Sequence, residues 1–214
     1  QSDLDHKLAA GEIIVSSKEV PGKSLKCAEM VGVVDAPPEI VWQVITDVNN
    51  AKNFMPRIRN SMAVAPEKIP VILQSRATRA EEVEQLLGPI PADPDSYRIP
   101  GGTYTVYSYS NVDLPWPLNN RWHITKGLRD ETRAAQHCYH NSWSLVTGNI
   151  RENAGEWILE PFGSAKTKAT YRLCTDPGGV IPQFLVTQGT DTTMPQIIKA
   201  VRERAAKLLG QPLS

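Results

Sequence analysis

The sequence predicts an α+β fold, with its helices gathered on one side of a long antiparallel sheet, and two observations carry that expectation. From Gly102 to Cys174 the runs TYTVYSYSN, RWHITKGLRD, HCYHNSWSLVTG, GEWILEPF and AKTKATYRLC follow one another with short polar breaks, the spacing of a meander. After the turn signal TDPGG the period changes, and Met194, Ile197, Ile198, Val201, Ala205 and Leu208 mark the apolar stripe of an amphipathic helix. Strands in a row closed by a helix argue against alternating βαβ units. A strongly bent sheet of this length can wrap around the terminal helix and leave a hydrophobic cavity between them.

The elements follow in order. Residues 1–10 read as an N-terminal extension. GEIIVSS and SLKCAEMVGVV are rich in β-formers around the turn VPGK, so the meander is preceded by a hairpin. In DAPPEIVWQVITDVNNAKNF, Asp35 is placed to cap a helix whose first turn tolerates Pro37 and Pro38. Val41, Val44, Ile45 and Val48 give that helix one apolar face. AKNFMP makes a second short turn, and IRNSMAV reads as a strand. Residues 66–100 form an insertion of undefined shape, in which AEEVEQLLG suits a short exposed helix and GPIPADPDSYRIPGG an ordered loop, neither expected to supply a core face. Thr193 and Gln196 have capping-box spacing before the last helix, which Gly210 and Pro212 stop. All of this is read as one domain over residues 1–214.

Composition excludes several function classes. Lys plus Arg and Asp plus Glu are 23 each, so no basic stripe suggests a nucleic-acid partner. No run approaches the ~20 apolar residues of a membrane-spanning helix, so a soluble chain is expected. The chain opens on QSDLDHKLAAGE and not on Met; a removed signal would make it periplasmic or secreted, and otherwise it is cytoplasmic. Cys27, Cys138 and Cys174 contain no CxxC pair and read first as small buried hydrophobes, with room for at most one disulfide of undetermined partners. His137 and His140 spell HxxH, but three positions apart on a strand their rings face opposite ways, so no metal is expected. There is no GxSxG elbow, phosphate loop or interpretable carboxylate pair, and no cofactor is expected.

Strand alternation sorts the remaining candidates. Arg121, His123 and Thr125 share one side of their strand, with Trp122, Ile124 and Leu128 on the other. His137, Tyr139, Asn141, Trp143 and Leu145 share a face, as do Trp157 and Leu159 on the next strand, so a wall of Trp143, Trp157 and Leu159 is expected; ordinary core packing fits the same pattern. Tyr107 and Tyr109 share a face with Thr103 and Thr105, each offering a ring and one hydroxyl to a ligand with few polar groups.

Three stretches together resemble the START-like, or helix-grip, superfamily of lipid-binding domains: VDAPPEIVWQVITDVNNAKNFMP, LPWPLNNRW, and GEWILEPFGSAKTKATYRLCTDPGGVIPQFL. Their order covers residues 34–208, apart from 66–100. The resemblance implies a curved sheet gripping a long C-terminal helix around a hydrophobic tunnel, with binding or transfer of a lipid or sterol-like molecule. It also implies that Arg121 faces the cavity as an anchor for a ligand carboxylate, phosphate or hydroxyl, against the alternative of a sheet-edge Arg121 meeting solvent or Asp113. Trp122 stands where the family commonly has Asp, and no acidic partner for Arg121 is identified. The ligand-binding set is therefore Arg121, His123, Tyr107, Trp143, Trp157, Leu159 and Phe184. VIPQFLVTQGTDTTMP reads as a movable front to the last helix, and Leu114, Trp116 and Leu118 as a tunnel cover, a transient membrane contact or turn packing. The chain is expected to be a monomer. An enzyme of cyclase or hydrolase type on the same scaffold, with His123 or a Tyr as general acid or base, is the alternative.

Overall fold

The computed structural model describes residues 2–19, 26–179, 185 and 192–210. Its helices are α1 (Asp3–Ala9), α2 (Pro38–Thr46), α3 (Ala51–Phe54), α4 (Lys68–Ser75), α5 (Ala80–Leu87) and α6 (Met194–Leu208). Its strands are β1 (Ile14–Glu19), β2 (Lys26–Val34), β3 (Ile58–Val64), β4 (Thr103–Val112), β5 (Arg121–Asp130), β6 (Tyr139–Gly148), β7 (Glu152–Phe162) and β8 (Lys166–Asp176). They make an eight-stranded sheet in the order β1-β2-β8-β7-β6-β5-β4-β3, with every neighbouring pair antiparallel. The meander therefore runs from β3 to β8, and the first hairpin closes onto the last strand.

Because successive side chains alternate, register assigns one face to α6 and α2. Met30, Val34, Trp157, Leu159 and Ala169 on that inner face pack with Met194, Ile198, Val201 and Ala205 of α6 and with Val41, Trp42 and Val44 of α2. Ile198 and Val201 are completely buried, and burying such a side chain stabilises by about 1.5–3 kcal/mol. Helix α6 comes close enough to β2 that a Cβ on Gly32 would lie 3.1 Å from Ile198 Cγ2. Arg202 fixes the crossing by donating from Nε to the Val33 carbonyl at 2.9 Å.

The outer face carries two covers. Leu8 of α1 seals Val31 and Val33, so the N-terminal extension is packed. The insertion does supply a core face: Ile72, Ala80, Val83 and Leu87 of α4 and α5 bury Met62, Val64, Tyr109, Trp122 and Ile124. Two polar anchors hold it in place, Tyr109 Oη donating to Glu84 Oε1 at 2.8 Å and Trp122 Nε1 donating to the Thr78 carbonyl at 3.0 Å. Ala80, Val83 and Leu87 are spaced i, i+3, i+7, which gives so short a helix one apolar side.

Both proposed caps are corrected. Helix α2 starts at Pro38 with Pro37 as its N-cap and no side-chain cap, while Asp35 pairs with Lys166 at 3.2 Å. Thr193 is the N-cap of α6 but lies in helical conformation and makes no capping bond, because a capping side chain needs an extended N-cap backbone. The cysteines are corrected too: Cys27 and Cys174 face each other in the β2–β8 register and form a disulfide, leaving Cys138 free.

Candidate functional site

The site begins with a burial conflict. Strand β5 follows the expected alternation, so Arg121, His123 and Thr125 share the inner face, and the same phase continues to Gly127 and Arg129. Arg129 is 5% exposed, and a cation there is costly unless its donors find partners. Helix α2 ends in front of it, and Arg129 Nη2 donates to the Thr46 carbonyl at 3.0 Å. A helix C-terminus has unpaired carbonyls and a partial negative charge, so this contact satisfies both groups. Burial pushes the guanidinium below its ordinary value, and nearby Tyr104 and Glu131 act against that.

Beside Arg129 lies a carboxylate that the sequence reading did not single out. The Glu131 side chain is 1% exposed, accepts from Arg98 Nε at 2.9 Å and Nη2 at 2.8 Å, and accepts from Tyr104 Oη at 2.7 Å. Burial pushes the Glu131 carboxyl up, but the hydrogen bonds from Arg98 and Tyr104 outweigh it and leave the carboxyl below its usual range. Burial, followed by the Glu131 contact, pushes the Tyr104 phenol up to about 12. Arg98 comes from the Pro-rich part of the insertion, which thereby contributes to the inner polar cluster.

Ile45, Val48, Val106, Ser108, Thr125, Gly127, Arg129, Asn141 and Trp143 line a half-open cavity of about 70 Å³. The Asn141 amide lies in the same register row as Arg129, and its Oδ1 is buried without a hydrogen-bond partner. Farther along the inner face Tyr171 stacks obliquely on Trp157 at 4.7 Å and on Trp143 at 5.8 Å. Trp143 Nε1 donates to Asn153 Oδ1 at 2.8 Å. Gly155 makes room for that ring: a Cβ there would stand 2.5 Å from Trp143 Cζ2 and 2.3 Å from the Arg172 carbonyl. Gly155→Ala is expected to displace Trp143 and cost about 1–3 kcal/mol, seen as a shifted tryptophan emission and a lower unfolding midpoint.

The expected residues divide as follows. Trp143 lines the cavity, and Trp157 joins it through Tyr171. Leu159 is completely buried in the core with α6. His123 lies on the inner face opposite Ser110 and Gly148, with a buried and unpartnered Nδ1. Arg121 sits at the strand start, donating to the carbonyls of Pro177 at 2.9 Å and Asn119 at 2.8 Å, so it is held by backbone. Tyr107 belongs to the outer face, partly buried against the insertion, because β4 pairs it with Lys126 and not with an inner residue. Phe184 and most of VIPQFLVTQGTDTTMP lie outside the described residues. His137 and His140 meet different carboxylates, Glu39 and Glu156, and no cluster of three metal-ligating side chains occurs among the described residues.

Burial holds the His123 imidazole at about 4, well below its ordinary value, so it is neutral near pH 7. The unfolded chain protonates near pH 6.5. Between those values the unfolded state binds more protons, so stability falls as the pH drops from 6.5 to 4, by up to about 3 kcal/mol. His123→Asn is expected to remove that part of the pH dependence in urea unfolding at pH 7 and pH 4.5; an unchanged pH dependence would show that His123 is solvated.

A curved antiparallel sheet, a long helix packed across its inner face and a polar cluster inside define a helix-grip domain. The chain belongs to the polyketide cyclase/dehydrase and lipid transport family, whose model matches residues 34–202. It is 26% identical over 176 residues to an uncharacterized protein of Pseudomonas aeruginosa, covering 78% of this chain and 87% of that one. Its fold is similar to a STAR-related lipid transfer protein fragment from Xanthomonas axonopodis (TM-score 0.63, 20% identity, 90% of this chain and 93% of that one). It is also similar to the ZhuI aromatase/cyclase from a Streptomyces species (TM-score 0.56, 13% identity, 86% and 96% covered). No helix among the described residues is long and apolar enough to cross a membrane.

Proposed function

We propose that this protein binds a hydrophobic small molecule, such as a lipid or sterol-like compound, against the inner face of its sheet, and carries it between surfaces. The observation that supports this most is Arg129: a buried cation that donates to the Thr46 carbonyl and lines a cavity with Ile45, Val48, Val106 and Trp143 on one part of its wall and Ser108, Thr125 and Asn141 on another. A ligand would place its polar end there and its apolar body along Trp143 and Tyr171. The role first expected of Arg121 thus passes to Arg129 on the same face. Trp116, 88% exposed in the loop between β4 and β5, suits transient contact with a membrane surface, since an indole favours the interface between apolar and wet surroundings.

Native mass spectrometry of the purified protein, followed by solvent extraction, tests the reading. A bound hydrophobic molecule, exchangeable on incubation with lipid vesicles, is the expected result. A protein that neither carries nor takes up such a molecule would overturn it. An enzymatic reading draws on His123, a neutral imidazole with an unpartnered Nδ1 on the same face. It predicts that the extracted molecule differs chemically from the one supplied and that His123→Asn abolishes the difference.

A further inference from the structure

Resting on that reading, we infer that the cavity between Arg129 and Asn141 selects a small uncharged head group carrying an acceptor beside a donor, as in a primary amide or a hydroxyl next to a carbonyl. Size decides first. A cavity of about 70 Å³ holds a few waters or a head of a few heavy atoms, so a compact head fits better than a bulky one and the chain lies elsewhere. The polar groups decide next. Arg129 supplies N–H donors, so one atom of the head must accept.

Asn141 makes the site more than a cation. Its Oδ1 is buried without a hydrogen-bond partner, 3.6 Å from where a Cβ on Gly127 would stand. A buried carbonyl-type oxygen without a partner is destabilising, so a donor placed against it is favoured. A head bearing only acceptors, such as a carboxylate, leaves that oxygen unpaired. An amide or hydroxy ketone satisfies Arg129 and Asn141 together, with the Ser108 and Thr125 hydroxyls on the same wall.

The test compares dodecanamide, dodecanoate and 1-dodecanol by displacement of a fluorescent fatty probe from the intact protein at pH 7.5, with Asn141→Leu alongside. The expected result is that dodecanamide binds about tenfold more tightly than the other two, and that Asn141→Leu removes this preference while retaining 1-dodecanol binding. Equal affinity for all three, tighter binding of dodecanoate, or an amide preference that survives Asn141→Leu would each overturn the head-group inference and leave the hydrophobic-ligand reading standing. Failure of all three to displace the probe, with no direct uptake by native mass spectrometry, overturns both. A circular dichroism spectrum and unfolding midpoint for Asn141→Leu separate lost binding from lost folding.

Discussion

Replacing Cys27 and Cys174 by serine, or reducing their disulfide, is expected to lower the unfolding free energy by about 4–5 kcal/mol. The bond joins residues 147 positions apart, and a cross-link of that span removes about 5 kcal/mol of loop-closure entropy from the unfolded chain. The native state should change little, since β2 and β8 are paired along the whole of β2 by their own ladder. Near-ultraviolet circular dichroism should therefore persist on reduction while the urea midpoint falls and the m-value rises, because the released chain exposes more surface when unfolded. A loss below about 1 kcal/mol would mean that the unfolded chain is already compact. Thiol titration should find one free thiol in the native protein, Cys138.

How far the fold was legible follows from the range of each signal. Alternation is local, so the strands from β4 to β8 and the shared side of Arg121, His123 and Thr125 within β5 could be read directly, whereas placing Trp143 and Trp157 on that same side needed the register between strands. The cysteine pairing could not, because it depends on β2 meeting β8, a register between strands far apart in sequence. Tyr107 was assigned to the ligand side because alternation tells which residues share a face and not which face is covered. Helices α4 and α5 are short, and their few apolar positions become meaningful only against Tyr109, Trp122 and Ile124. Arg129 was within reach, since it continues the Arg121 phase of β5 over eight residues. The resemblance points to the first arginine of the strand, and burial singles out the last. Glu131 lies one residue beyond β5, and Arg98 lies in a loop without periodicity, so their pairing had no local signature.

Arg98→Met is expected to destabilise the protein by about 3 kcal/mol at pH 7, because it leaves the Glu131 carboxylate buried with its main partner gone. The value belongs at the low end of the range for broken buried pairs, since the Arg98 side chain is 46% exposed and water can follow its removal. Replacing both partners, as in R98M/E131L, should cost less than the single change, for no uncompensated carboxylate remains. The pH dependence supplies a separate sign. In the wild type Glu131 lies below its ordinary value, so its contribution is present above the unfolded-state value near pH 4.3 and is lost as the pH falls through the folded value. In Arg98→Met, burial dominates and should raise the carboxyl above the unfolded value, so the deficit at pH 7 shrinks on acidification. The opposite slopes, read from urea unfolding between pH 7 and pH 4 with His123→Asn as the background, distinguish a buried ion pair from mere packing by the Arg98 stem. Parallel slopes would show that Glu131 is solvated and that Arg98 acts only by contact.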